Sequence, residues 1–287
     1  MASKVDLHIH TTVSDGVHSP ENIIAKAAKV HMEYIAICDH DNLDGIGLAI
    51  QTARKYPKLR VIPGVEISTD YSGGDVHILG YFVDYKDPFL NETLTEMRRS
   101  RVERARDMVI KLNELGMEIS WQRVSEIAGE GTVGRPHIAT ALLEKGYIQN
   151  MGEAFEKYIG RGGPAYVERI KMGPEEAVRL VLNCGGIPVM AHPLTIMDHE
   201  PMVERLVQAG LMGLECHYGG FNPQQIDGLV KLAAKHKLLT TGGSDYHGLD
   251  ELTETPIGGA EVPMQDAKKL IAKAREIKAK GLAEDME

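Results

Sequence analysis

The feature that most constrains the fold is a regular alternation of short apolar runs with segments of helical periodicity. The apolar runs cover residues 5–9, 34–38, 60–65, 76–83, 187–191, 212–216 and 238–241. The segment 19–31 is typical of those between the runs, because Ser19 is a suitable helix N-cap and Pro20 suits a first helical turn. Repeated strand–helix alternation predicts a largely parallel sheet with helices outside it.

The middle of the chain breaks this alternation. Residues 88–162 show one helical pattern after another and no convincing strand, whereas the strand–helix alternation resumes beyond them. We therefore expect an α/β barrel domain formed by residues 1–87 and 163–287, with an inserted all-helical subdomain at 88–162. An Ala- and Lys-rich amphipathic segment at 265–280 predicts a final helix packed on the outside.

Side chains of the metal-ligating type recur at or near the ends of the apolar runs. They are His8, His10, Asp15, His40, Glu66, His77, His192, Asp245 and His247. His8 and His10 are two residues apart in a strand, so their side chains point to the same face. In parallel α/β architectures the loops at the carboxyl ends of the strands converge, and we expect these residues to meet there.

The chemistry of this set favours metal-assisted phosphoryl transfer. Imidazoles and carboxylates without thiolates suit Mn²⁺, Fe²⁺ or Zn²⁺, and a shared carboxylate can bridge two ions. Neighbouring ions activate water at neutral pH and bind both the attacking and the leaving oxygen of a phosphoryl group. The sequence contains neither a GxSxG nucleophile elbow nor a phosphate-binding glycine loop before a helix, which removes two rival chemistries.

A series of motifs resembles one known family. DLHIHTTVSDG, CDHDN, GVEIS, DVHILGY, AHP and GSDYHG occur in this order between residues 5 and 248. They resemble the motif series of the PHP (polymerase and histidinol phosphatase) metallo-phosphoesterases. The resemblance implies a distorted seven-stranded β/α barrel with two or three divalent ions, manganese first, with zinc, iron or magnesium as alternatives. Cys38 stands where relatives more often carry threonine, and it is not a ligand.

The resemblance also implies how the ligands are shared among the ions. One ion would be held by His8, His10, Glu66 and Asp245, a second by Glu66, His77 and His192, and a third by Asp15, His40 and His247. The neighbouring Asp6 and Asp41 are expected to orient ligands through hydrogen bonds.

The helical insertion narrows the expected substrate. GRPHIATALLEKGY at 134–147 and YIGRGGPAYV at 158–167 resemble the insertion of stand-alone PHP enzymes that act on nucleotide phosphates. This resemblance implies that Arg135 and His137 contact the substrate phosphate, and a guanidinium matches phosphate oxygens well. The alternative is that both residues cap or brace the insertion. His217, at the end of an apolar run, either contacts substrate, donates a proton or supports a ligand.

Composition limits the partners and the compartment. The formal net charge of −9 gives no reason to expect a broad nucleic-acid surface, and we expect the arginines of 98–106 to form a solvated helix face. Cys38, Cys184 and Cys216 lie far apart, which favours a reducing compartment over a disulfide framework. No signal peptide or membrane span is evident, so we expect a cytoplasmic enzyme without a membrane or obligate protein partner.

These observations lead to one expected function and three alternatives. We expect hydrolysis of a small phosphorylated nucleotide, nucleoside 3′,5′-bisphosphate to nucleoside 5′-monophosphate and phosphate, with 5′–3′ trimming of short RNA as a further activity. A histidinol-phosphate phosphatase is disfavoured by the helical insertion, and a polymerase-type exonuclease by the lack of a fused polymerase segment. An inactive structural or nucleic-acid-binding PHP module is disfavoured because all nine ligands are present.

Overall fold

The chain divides into two compact units. The computed structural model describes residues 4–69, 71, 74, 76–129, 133–168, 172–250 and 253–284. One unit consists of Met1–Glu92 with Met172–Glu287, and the other of Thr93–Lys171. The second unit thus begins five residues and ends nine residues later than the insertion expected at 88–162. Within the second unit, Nε of Arg104 donates to the carbonyl of Val167 at 2.8 Å. This hydrogen bond joins the helix at the beginning of the unit to the segment near its end.

Seven strands form a single sheet in chain order. They are β1 (Val5–Ile9), β2 (Tyr34–Ile37), β3 (Arg60–Ser68), β4 (His77–Tyr81), β5 (Ile187–Met190), β6 (Gly213–Tyr218) and β7 (Leu239–Gly243). Each strand overlaps one of the seven apolar runs, which confirms the strands expected from the sequence.

The sheet is a nearly closed, distorted barrel. Strands β1, β2 and β3 pair in parallel, as do β5, β6 and β7, whereas β4 is antiparallel to both of its neighbours. The segment after β7 returns to β1, where Ile9 bridges to Tyr246 and the amide of Asp245 donates to the carbonyl of His8 at 2.9 Å. Gly243 is required at this seam because a Cβ there would collide with the backbone of His8. The fold is therefore the expected seven-stranded β/α barrel.

Helices connect the strands and build the second unit. They are α1 (Pro20–Lys29), α2 (Asp44–Ala53), α3 (Pro88–Glu114), α4 (Trp121–Ala128), α5 (Arg135–Glu144), α6 (Met151–Ala154), α7 (Pro174–Asn183), α8 (His199–Ala209), α9 (Pro223–Lys235) and α10 (Met264–Glu284). The caps follow the sequence, since Ser19 accepts from the amide of Asn22 at α1 and Asn222 caps α9. Among its described residues, the inserted unit contains helices joined by turns and no strand.

Apolar packing holds the barrel together. Leu7 of β1, Tyr81 of β4 and Val189 of β5 are fully buried in one cluster that also takes in Leu270 of α10. The outer helix therefore seals one side of the sheet, as its amphipathic pattern predicts. Among the described residues, no helix is both long and apolar enough to span a membrane.

The reversed direction of β4 decides where His77 lies. His77 is the first residue of β4 and pairs with Ser68, the last residue of β3. Because β4 runs against its neighbours, its beginning lies at the edge of the sheet where β3 ends. All nine candidate ligands can therefore meet at one edge, although His77 starts its strand.

Candidate metal centre

The structure brings the nine candidate ligands together. Eight of them form three overlapping groups in which the potential ligand atoms lie within 4.8 Å of one another. The groups are His8, His10, Glu66 and Asp245; His10, Asp15, His40 and His247; and His40, Glu66 and His77. The ninth, His192, has its Nε2 3.0 Å from Oε1 of Glu66. The first group equals the set that the family resemblance implies for one ion. The second contains His10 in addition to the expected residues, and the third contains His40 in place of His192.

Glu66 lies at the centre of the cluster. Its side chain is 1% exposed, and five histidine rings approach it. The Oε1 atom is 2.8 Å from Nδ1 of His77 and 3.0 Å from Nε2 of His192. The Oε2 atom instead faces His8, His10 and His40 at distances of 3.3, 3.2 and 3.1 Å. Each oxygen thus serves a different set of histidines, which is the arrangement of a carboxylate able to bridge two ions.

Asp245 joins the first and last parts of the barrel. Its Oδ1 lies 3.3 Å from Nε2 of His8 and 3.0 Å from Nε2 of His10. Its Oδ2 accepts a hydrogen bond from the hydroxyl of Tyr218 at 3.0 Å. The backbone of Asp245 has a φ of 55°, a left-handed conformation that is costly outside glycine and typical of functional sites.

Asp15 organises the outer group. Its carboxylate lies 3.3 Å from Nε2 of His247 and 3.6 Å from the nearest ring nitrogens of His10 and His40. Nδ1 of His247 is 2.8 Å from the carbonyl of Asp245, so this nitrogen carries the proton and Nε2 is presented to Asp15. The rings of His10 and His247 stack with centroids 4.1 Å apart, which aligns both rings toward the same space.

Buried polar atoms show that the cluster fits a cation. Nε2 of His8 and His10 and Oδ1 of Asp15 and Asp245 are buried, and although they lie close to other atoms of the cluster, none has the geometry of a hydrogen bond with a described residue. Burying such atoms without a partner is costly unless another group binds them. All four belong to the groups described above, and their imidazole and carboxylate chemistry suits divalent metal ions. The donor set therefore fits divalent metal binding.

The surroundings shift the pKa values of the clustered histidines in opposite directions. Burial lowers the pKa of His10, but Asp245 and Glu66 outweigh it and raise that pKa to about 10. Burial dominates at His40 and lowers its pKa to about 4, despite the neighbouring carboxylates. Burial raises the pKa of Glu66, yet the surrounding histidines hold it well below its usual range. Without a cation, the centre is thus held together by ionised carboxylates and protonated imidazoles, and a bound cation displaces protons.

Two supporting residues were not expected from the sequence. Glu215, fully buried on β6, has Oε1 3.0 Å from Nδ1 of His8 and accepts from the amide of His192 at 2.7 Å. Tyr218, at the end of the same strand, binds Asp245. The only sequence signal was their place in GLECHY, where His217 attracted attention instead.

Further buried carboxylates hold the loops that carry the ligands. Asp6 accepts from the amide and hydroxyl of Ser244 at 2.9 and 2.7 Å and from the amide of Gly258 at 2.8 Å. Asp39 accepts from the amide and hydroxyl of Thr11 and from the hydroxyl of Ser14. Asp41 accepts from the amide of Ser68 at 2.8 Å. Asp6 thus binds the amide that precedes Asp245, and Asp41 binds an amide two residues after Glu66; their role in orienting ligands stays a prediction.

The three other candidate residues have contacts of their own. Nε2 of His217 lies 3.3 Å from Oδ2 of Asp266, at the start of α10, and His217 belongs to none of the three ligand groups. In the second unit, the guanidinium of Arg135 lies over the ring of Phe155, 5.5 Å from its centroid. Nδ1 of His137 accepts from the amide of Gly134 at 2.9 Å and caps α5. The catalytic and substrate-binding roles of these residues stay predictions.

Comparisons with known proteins agree with this geometry. The sequence profile of the PHP domain matches residues 6–170. The 5′-3′ exoribonuclease of Haemophilus influenzae is 33% identical over 86% of this chain and 91% of its own length. The 3′,5′-nucleoside bisphosphate phosphatase of Chromobacterium violaceum is 31% identical over 87% of this chain and 89% of its own.

A solved structure shares the fold across almost the whole chain. A candidate metal-dependent phosphoesterase from Bifidobacterium adolescentis superposes with a TM-score of 0.80 and 27% identity, covering 93% of this chain and 95% of its own. The profile match and the similar relatives lead to the same assignment. The chain belongs to the PHP domain family and is a phosphoesterase of that family.

Proposed function

We propose that this chain hydrolyses nucleoside 3′,5′-bisphosphate to nucleoside 5′-monophosphate and phosphate. The observation that carries the proposal is the cluster in which the buried carboxylate of Glu66 meets five histidines within 3.3 Å. Such a donor set suits clustered divalent ions, and clustered ions suit phosphoryl transfer. The similarity to a bisphosphate phosphatase over most of both chains supports this choice of substrate.

Two or three divalent ions complete the proposed site. The nine ligands are His8, His10, Asp15, His40, Glu66, His77, His192, Asp245 and His247. Manganese is the proposed ion, with zinc, iron or magnesium as alternatives, because imidazole and carboxylate donors accept all of them to differing degrees. Bound ions supply Lewis-acid activation of water and neutralise charge on the phosphoryl oxygens.

Binding of the substrate phosphate and protonation of the leaving group are assigned to side chains of the protein. Arg135 offers a planar pair of donors to phosphate oxygens, and His137 offers a ring nitrogen to the same group. His217 is held by Asp266 and is proposed to donate a proton to the leaving alkoxide. Tyr218 keeps Oδ1 of Asp245 directed at His8 and His10.

A second candidate activity is removal of nucleotides from the 5′ end of short RNA. The similarity to a 5′-3′ exoribonuclease, over a comparable share of both chains, favours this candidate. The same ligand cluster can serve a phosphate diester, because the charge to be neutralised lies on the same phosphoryl oxygens.

The experiment compares three substrates with one metal-loaded enzyme. The protein is stripped of metal, reloaded with Mn²⁺ and given adenosine 3′,5′-bisphosphate, a 5′-phosphorylated RNA pentamer or histidinol phosphate. Release of phosphate and of mononucleotide is followed separately. Parallel reactions with Zn²⁺, Fe²⁺ and Mg²⁺ rank the ions.

We expect the bisphosphate to give the highest kcat/KM, with phosphate and adenosine 5′-monophosphate in equal amounts. Higher kcat/KM on RNA would make the exoribonuclease the main activity. Preference for histidinol phosphate would overturn the proposed substrate class. Turnover of none of these substrates by a protein that binds Mn²⁺ would favour an inactive binding module.

The cysteines bear on where the enzyme works. Cys38 and Cys216 are buried and Cys184 is partly buried, and all three are free thiols. Free thiols persist in reducing compartments. We therefore propose that the enzyme works in the cytoplasm on small phosphorylated nucleotides, without an obligate protein partner.

A further inference from the structure

Glu215 is a buried carboxylate that contacts two candidate ligands at once. It lies on β6, fully buried, and its two oxygens have different partners. Oε1 is 3.0 Å from Nδ1 of His8, and Oε2 accepts from the backbone amide of His192 at 2.7 Å. Glu215 belongs to none of the three ligand groups, so its contacts lie behind the ligands and not among them.

The contact with His8 determines which ring nitrogen can bind a cation. A carboxylate only accepts hydrogen bonds, so the proton of His8 is held on Nδ1 toward Glu215. The opposite nitrogen, Nε2, faces Glu66 and Asp245 at 3.3 Å and makes no hydrogen bond with a described residue. A histidine held in this way presents a lone pair to the centre.

The contact with His192 supports an unfavourable backbone conformation. His192 has a φ of 24°, in the left-handed region that residues other than glycine rarely adopt. Its amide is satisfied by Glu215, and its Nε2 is thereby placed 3.0 Å from Oε1 of Glu66. Conformations of this kind persist where surrounding contacts fix them.

We propose that Glu215 is a positioning residue that prepares two ligand positions with one carboxylate. It fixes the ring nitrogen that His8 presents and the backbone that places His192 beside Glu66. The inference rests on the proposed metal binding of the centre.

The isosteric amide tests this role because it cannot reproduce both contacts. In Glu215→Gln, the amide group has one acceptor and one donor where the carboxylate has two acceptors. If its oxygen binds the His192 amide, its NH₂ group donates to Nδ1 of His8 and moves the ring proton to Nε2. If its oxygen instead binds Nδ1 of His8, the NH₂ group opposes the amide of His192. Each orientation therefore disturbs one of the two ligands, either the ring of His8 or the backbone of His192.

The experiment measures how tightly each variant binds manganese. Metal-free wild type, Glu215→Gln, Glu215→Asp and Asp266→Asn are titrated with Mn²⁺, and the free ion is counted by electron paramagnetic resonance. Asp266→Asn is the matched control, since Asp266 is a buried carboxylate that contacts His217 and none of the nine ligands. Circular dichroism confirms that each variant is folded.

We expect Glu215→Gln to weaken Mn²⁺ binding about 10- to 100-fold, the range found when a partner of a ligating histidine is removed. Glu215→Asp keeps two acceptors on a shorter side chain, so its affinity for Mn²⁺ should lie between those of Glu215→Gln and wild type. Asp266→Asn should bind Mn²⁺ as tightly as wild type does. In the zinc-loaded protein, ¹⁵N spectra of the histidine rings should show a protonated Nδ1 on His8 in wild type and its loss in Glu215→Gln.

The outcomes separate this inference from the proposed function. A folded Glu215→Gln protein with wild-type affinity, or equal affinities for the Asp and Gln variants, would overturn the positioning role while leaving the metal centre intact. If Glu215→Gln does not fold, the test falls to Glu215→Asp. Wild-type affinity for Mn²⁺ in that variant would likewise overturn the positioning role. Failure of wild type itself to bind Mn²⁺ would instead contradict the proposed function and remove the basis of the inference.

Discussion

The hydroxyl of Tyr218 donates to Oδ2 of Asp245 over 3.0 Å and leaves Oδ1 of the same carboxylate directed at the histidines of β1. A hydrogen bond to a charged group contributes about 1.5–3 kcal/mol, and tenfold in affinity corresponds to about 1.4 kcal/mol. We therefore expect Tyr218→Phe to weaken Mn²⁺ binding by about tenfold, as measured by titration. Phe221→Leu is the control, because Phe221 contacts the ring of Tyr218, with centroids 4.8 Å apart, and belongs to no ligand group. Equal binding by Tyr218→Phe and wild type would show that the carboxylate needs no such support.

Removing a ligand should abolish turnover while leaving the barrel folded. His40 and Asp245 belong to different ligand groups, and their loss takes donors from the centre without opening the apolar core. Metal-assisted activation contributes several kcal/mol to a phosphoryl transfer, so we expect His40→Ala and Asp245→Ala to lower kcat by about 1,000-fold. His199→Ala, outside the cluster at the start of α8, serves as the control. Residual activity near that of wild type would place the chemistry elsewhere.

The metal-free protein should lose stability as the pH rises above neutrality. The pKa of His10 is raised to about 10 in the folded protein, against 6.5 in an unfolded chain. The stabilisation from protonated His10 is therefore complete below pH 6.5 and is lost as the pH rises through about 10. We expect the melting temperature of the metal-free protein to fall across this interval, as followed by circular dichroism.

Metal loading and a His10 substitution provide the controls for this pH dependence. A cation bound at Nε2 replaces the proton, so the Mn²⁺-loaded protein should show a flatter profile. His10→Gln should also flatten the profile of the metal-free protein, because the titrating group is absent. A metal-free profile that rises with pH would contradict the assignment of the proton to His10.

Arg135 has a contact with Phe155 and a proposed role in substrate binding, and substitutions can separate the two. Its guanidinium over Phe155 accounts for about 0.5–1 kcal/mol of stability. Phe155→Leu removes that contact but keeps the guanidinium, whereas Arg135→Ala removes both. If Arg135 binds the substrate phosphate, kcat/KM on the bisphosphate falls in Arg135→Ala alone. Equal losses in the two variants would assign the residue to packing of the helical unit.

Asp6 should be important for stability although it is no ligand. Its carboxylate accepts from two groups of Ser244 and from the amide of Gly258, all of them donors. Asp6→Asn places an NH₂ group against donors, and an unsatisfied buried donor costs about 1–3 kcal/mol. We expect a loss of this size in the free energy of urea unfolding. Asp44→Asn, on the exposed start of α2, should change the unfolding free energy little.

The strands, and the candidate ligands that the structure brings together, could be predicted from the sequence because their signals are local. Apolar runs such as Ile187–Met190 are bounded by turn residues, and each ligand lies at or near the end of such a run. The direction of β4 was not predictable in this way, since an apolar run reads the same in a parallel and an antiparallel strand. The sequence predicts His77 as a ligand, but its place at the beginning of β4 emerges only from the pairing with Ser68.

The supporting residues could not be predicted because their role depends on the register of the barrel. Glu215 and Tyr218 lie on β6, where a register shift between Glu215 and His217 interrupts the alternation of side chains. Without that irregularity, Glu215 and His217 would face the same way. In the structure Glu215 reaches His8 and His192, whereas His217 pairs with Asp266. The sequence drew attention to the histidine because imidazole is the commoner functional group.

The seam between β1 and the segment after β7 has a consequence for biosynthesis. His40, Glu66 and His77 form the one ligand group that is complete early in the chain, whereas the other two groups wait for Asp245 or His247. A nascent polypeptide emerging from the ribosome can therefore assemble only a fragment of the centre. The complete set of candidate ligands can come together only after nearly the whole chain has been translated and its last strand has docked beside its first.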